Sequence, residues 1–155
     1  MTLGGTDSSK YSGSISYVPT TTKYPYSFYW GIGVSSITYN SIRLSLPGNT
    51  NAIVDTGTTL IYVPTSTYLA FLLAAGGRTD RKSGLAAFNK KPTGTITFKI
   101  GGVNYPLTPS QYLIPTQQYT YWGLRSGNND SYHFGFNIIL LSRVLFFRHI
   151  LFMDL

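Results

Sequence analysis

Cysteine is absent from the 155 residues. That excludes disulfide staples and thiolate-held metals. Glutamate is absent as well, and all five acids are Asp. Against 12 Lys plus Arg, this leaves a formal charge of +7. Such a balance is compatible with acidic partners, but the cations are dispersed: Arg78, Arg81 and Lys82 in one segment, Lys90 and Lys91 in another. They read as solvated loop charges. Only two His occur, His133 and His149, too far apart and without the partners a metal site needs, so none is expected. No apolar run approaches the roughly 18 residues of a membrane helix. The most apolar stretch, FNIILLSRVLFFRHILFMDL at 136–155, is interrupted by Arg143, Arg148 and His149 and reads as a buried strand and helix. No third glycine follows Gly31-Ile32-Gly33, and neither a P-loop nor a Gly-x-Ser-x-Gly elbow occurs. No cofactor is expected. The polar residues after Met1 do not form a signal peptide.

What the chain does have is short strands and turn residues. Its length favours a single domain over 1–155. ISYVP (15–19) and FYWGIGVSSI (28–37) are rich in aromatic and β-branched residues, and Pro47-Gly48-Asn49 marks a turn. In TITFKIGGVNYPL, Ile96, Phe98 and Ile100 alternate with Thr95, Thr97 and Lys99, which predicts a hairpin with one buried face. Gly101-Gly102 suits its two-residue turn, and Pro106 suggests an edge. A helix is predicted after Pro64, capped by Thr65 or Ser66 and ended by Gly76-Gly77. Tyr68, Leu69, Leu72 and Leu73 would form its apolar face. WGLRSGNNDSYHFG reads as a loop, and Asn129-Asp130-Ser131 is a glycosylation sequon.

The chemistry-bearing stretch is NAIVDTGTTLIYVP, 51–64. An Asp-Thr-Gly alone is often no more than a turn. Here an apolar strand delivers Asp55 and a second one leaves after Thr59. A carboxylate at that position is largely desolvated, and burial penalises its charged form unless hydrogen bonds or a partner compensate. That makes Asp55 a functional-site candidate. Gly57 lets another group approach closely and offers its N–H to the carboxylate. The hydroxyl of Thr58 is placed to do the same, and that of Thr56 points elsewhere.

Several segments in order resemble the C-terminal lobe of pepsin-like aspartic proteases, with the secreted fungal members the nearest in appearance. These are LGGTDSSKYSGSISYVP, the Tyr-Trp of FYWGI, AIVDTGTTL, VPTSTYLAFLLAAGG and ITFKIGGVNYPLTPSQYLIP. The resemblance implies an all-β fold: one lobe of a bilobal enzyme, with orthogonal, barrel-like sheets and one or two short helices. It implies peptide-bond hydrolysis by a water held between two Asp carboxylates, with Asp55 as the second-lobe member. Thr56 would make a cross-lobe hydroxyl contact, and Gly57 and Thr58 would orient the carboxylate. An extracellular or vacuolar setting is implied as well.

The other four acids, Asp7, Asp80, Asp130 and Asp154, are followed by neither Thr-Gly nor Ser-Gly. The second carboxylate must therefore come from an N-terminal lobe or a second copy, and the isolated chain is expected to be inactive. Residues 126–155 match the family pattern poorly. Ile139-Leu140-Leu141-Ser142 has no Gly where the family has one, which suggests a truncated or altered segment. Three alternatives stay open: an inactive fragment, a homodimeric protease with two copies of Asp55, and a non-enzymatic basic binding module. No membrane or nucleic-acid partner is expected.

Overall fold

The computed structural model describes residues 5–11, 13–48, 50–55 and 60–113. It also describes the backbone of three later strands, Leu124–Gly127, Asn137–Ile138 and Leu151–Asp154. The order is β1 (Ser16–Pro19), β2 (Gly31–Gly33), β3 (Ser36–Tyr39), β4 (Ile42–Arg43), β5 (Asn51–Val54), β6 (Ile61–Pro64), α1 (Thr65–Ala75), β7 (Arg78–Thr79), β8 (Ala86–Ala87), β9 (Ile96–Ile100), β10 (Val103–Leu107), α2 (Pro109–Tyr112), and then β11, β12 and β13 as the three later strands. The all-β expectation with two short helices holds among the described residues. The sheets are small and open, with two to four strands each, rather than a closed barrel.

The largest sheet runs β10-β9-β3-β4, antiparallel throughout. Gly101 and Gly102 have φ of 56° and 83°, so both turn residues lie where only glycine sits without strain. Ile96, Phe98 and Ile100 are buried, and across from them so are Tyr105 and Leu107. Pro106 lies on β10, the edge strand, where a missing ladder donor is tolerated.

The stretch 28–37 is not one strand. A 3-10 turn at Tyr26–Phe28 precedes β2. The Val34 N–H still donates to the Thr50 carbonyl at 3.0 Å, whereas the Ser35 N–H donates to Lys99 O at 2.9 Å. The chain thus leaves one sheet and joins another between these two residues, the kind of corner at which strands change sheets in orthogonal β packing.

Helix α1 departs from expectation in two respects. It begins directly after β6, with Pro64 at the N-cap and no side-chain cap, so neither Thr65 nor Ser66 plays that part. Its buried face is Thr67, Tyr68, Phe71 and Leu72, while Leu69 and Leu73 are 56% and 87% exposed. The buried stripe follows i, i+4 neighbours on the sheet-facing side, and the two leucines lie around the barrel of the helix from it. Gly76, with φ of 69°, closes the helix as predicted.

Phe71 is the hub of the core. It meets Tyr39, Phe88 and Tyr112 edge-to-face, at centroid distances of 5.5, 5.8 and 6.2 Å. The Tyr39 hydroxyl accepts from Gly94 N at 3.0 Å, and the Tyr112 hydroxyl donates to Gly94 O at 2.8 Å. Burial, then the neighbouring Tyr39, pushes the Tyr112 phenol well above its ordinary range, so it remains a donor at all working pH. A Cβ on Gly94 would lie 2.2 Å from the Tyr39 ring. Gly94→Ala is expected to cost about 1–3 kcal/mol, as overpacking does. The denaturant midpoint reads this directly, with Gly48→Ala as the control, because a Cβ there meets nothing within 4 Å.

The loop after β7 is held by Asp80. Its carboxylate accepts from the Ser83 hydroxyl at 2.6 Å and the Ser83 N–H at 2.9 Å. These bonds lower its pKa below the ordinary value. Their contribution is therefore present above the unfolded Asp pKa and is lost as pH falls through the lowered folded value.

Candidate active site

Strand β5 is the middle of the sheet β12-β5-β2. Asn51, Ala52 and Ile53 are buried, as expected of a strand covered on both faces. Gly31 pairs with Ile53, and the Val54 N–H donates to the Trp30 carbonyl at 2.9 Å. The ladder thus holds the backbone up to Val54, and Asp55 is the first residue beyond it. Asp55 is half-buried, at the boundary between core and surface. Thr56, Gly57 and Thr58 lie outside the described residues, as do Asn129, the two histidines and 139–142. The chain resumes at Leu60 and enters β6.

Two parallel pairings flank the strands on either side of residues 56–59. β12 runs beside β5, with Ile138 opposite Val54, and β11 runs beside β6, with Leu124 opposite Ile61. The stretch read as a loop from WGLRSG therefore contains a strand, Leu124–Gly127. Its residues have weak strand character. The apolar strand IYVP supplies the partner, and such context outweighs local propensity.

One feature of the site escaped the sequence reading. Tyr24, Phe28, Tyr29 and Trp30 are 75%, 74%, 49% and 49% exposed. They lie on the segment that leads into β2, whose last residue before that strand, Trp30, accepts from the Val54 N–H through its carbonyl. Tyr24 and Phe28 stack edge-to-face at 5.6 Å. The tyrosines of this chain are therefore not uniformly core: Tyr39, Tyr68, Tyr105 and Tyr112 are buried, but these aromatics face outward. The segment is tightly folded, with Gly31 O accepting from Thr21 N at 2.8 Å. A Cβ on Gly31 would lie 2.6 Å from the Tyr26 carbonyl. A run of exposed aromatics suits an interaction face. Only the clustering KYPYSFYW, without alternation, hinted at it.

A half-buried carboxylate at the end of a central strand is suited to acid–base work on a bound group. Comparison with known proteins narrows the choice. The family model described as eukaryotic aspartyl protease matches residues 1–147. Chymosin from Camelus dromedarius is 34% identical over 132 residues, which cover 84% of this chain and 34% of the relative. Polyporopepsin from Irpex lacteus is 38% identical over 118 residues, covering 74% and 34%. Pepsin A from Rhinolophus ferrumequinum is 38% identical over 121 residues, covering 75% and 30%. The crystal structure of the aspartic proteinase from Irpex lacteus superposes with a TM-score of 0.75 at 31% identity, over 92% of this chain and 45% of that one. The chain thus spans about a third of the length of the curated relatives it matches. By sequence and by fold, it belongs to the eukaryotic aspartyl protease family.

Proposed function

We propose that this chain is the second-lobe half of an aspartic endopeptidase and that Asp55 is one of its two catalytic carboxylates. The observation that carries this reading is the placement of Asp55. It is half-buried where the central strand β5 meets the surface, one residue past the last ladder position, Val54. In the assembled site, Asp55 and a facing Asp hold a water between them. Two carboxylates that close cannot both ionise, so the pair shares one proton in acid; the aspartic protease dyad is the standard case. The ionised member takes a proton from the water, and the protonated member polarises the scissile carbonyl. Thr56 ties the bend to the facing lobe through its hydroxyl, and Gly57 and Thr58 orient the Asp55 carboxylate. The partners are a peptide substrate and a first lobe. By family the setting is extracellular or vacuolar.

The test is pepstatin-sensitive cleavage of a fluorogenic peptide at about pH 3–5, where such a dyad holds one proton. Purified chain alone is expected to give none. The chain fused behind the first lobe of the Irpex lacteus aspartic proteinase is expected to cleave. Cleavage by the chain alone, rising with the square of its concentration, would replace this reading with the homodimer. A folded but silent fusion would remove it.

A further inference from the structure

A groove of about 660 Å³ opens at the other end of the β2–β5 ladder. Gly33 and Asn51, which pair in register, lie in its lining. Asn51 is four residues before Asp55, about 13 Å along an extended strand. The groove is therefore separate from the proposed catalytic bend. Its volume is in the range of small-molecule sites. Val18, Val34 and Leu46 give it apolar walls, Lys23 and Arg43 line it as well, and none of the described lining residues is acidic.

Both cations have capacity to spare. Arg43 makes one long hydrogen bond, at 3.4 Å to the Ser35 carbonyl, from a guanidinium that carries five N–H donors. Among the described residues, the Lys23 ammonium has no hydrogen-bond or ion-pair partner. The walls also leave room. A Cβ on Gly33, Gly48 or Gly102 would meet nothing within 4 Å. Two under-used cations over an apolar trough recognise one chemistry: a negative head on an apolar body.

We propose that this groove binds a small amphiphilic anion, a carboxylate or a phosphate monoester carried on an apolar chain. Its head lies between Lys23 and Arg43 and its body along Val18, Val34 and Leu46. The site is independent of proteolysis, and so is its test. Decanoate, decyl phosphate and decanol are titrated calorimetrically into the purified chain at neutral pH, below their micellar concentrations. Saturable binding at one site per chain is expected for at least one of the two anions, and their order shows which head group the site prefers. Decanol is expected to bind about tenfold more weakly or worse, since it offers no charge to the two cations. The double variant Lys23→Gln, Arg43→Gln should weaken anion binding by about tenfold, and added salt should do the same to the unmodified chain. Both side chains are exposed, so the variant should keep its fold. Gly33→Leu should fill the groove and abolish binding with the thermal midpoint retained. No saturable binding of either anion would overturn the proposal, as would equal binding of decanol or indifference to the double variant.

Discussion

Replacing Phe71 with Ala is expected to lower stability by about 3–5 kcal/mol, the range for removing a large buried aromatic. A domain has only about 5–15 kcal/mol to lose, so much of the population would unfold under mild conditions. The size of the effect follows from position. Phe71 is fully buried and is the ring that Tyr39, Phe88 and Tyr112 all meet edge-on. Truncation leaves a cavity that three rings, two of them tied to Gly94 by their hydroxyls, cannot easily collapse into. The contrast lies two residues further along the same helix. Leu73 is 87% exposed, and Leu73→Ala should move the denaturant midpoint very little. Equal effects at the two positions would mean that the helix does not present the face described above.

In the two-lobed fusion, Asp55→Asn is expected to reduce kcat by about 10²–10⁴-fold, the contribution of a positioned acid–base group. The change keeps the shape of the side chain and removes only its ability to carry charge or take a proton. Asp55 is half-buried rather than sunk in the core, so the fold should persist, and circular dichroism and the thermal midpoint check that. KM for the peptide should change far less than kcat, because the carboxylate acts on the reacting water rather than on the remainder of the substrate. A variant that cleaves at the original rate would take Asp55 out of the mechanism.

These positions were legible to different degrees beforehand. The β9–β10 hairpin shows a two-residue period, a diglycine and an edge proline, all local signals, and it formed as read. Asp55 stood out because an apolar run led into it. The partners of the strands on either side of it did not stand out. β5 pairs with β12 and β6 with β11, both in parallel and from remote parts of the chain, and such pairings leave no mark in the neighbouring sequence. The helix was placed within a residue, but half of its apolar face was misassigned. Four apolar residues at i, i+1, i+4 and i+5 do not say which side the sheets will cover. The outward aromatics at 24–30 were hidden for the opposite reason: composition alone assigns Tyr, Phe and Trp to a core.

The pairing of β1 with β13 has a consequence for how the molecule is made. Ser16 lies opposite Leu151 and Pro19 opposite Asp154, so among the described residues β1 pairs with a strand far along the chain and with no other. A nascent polypeptide emerging from the ribosome would carry β1 without this partner while the 135 residues from Ser16 to Leu151 are added. The exposed edge is thus a hazard of biosynthesis rather than of the finished fold, and a holding chaperone would be most useful during that interval.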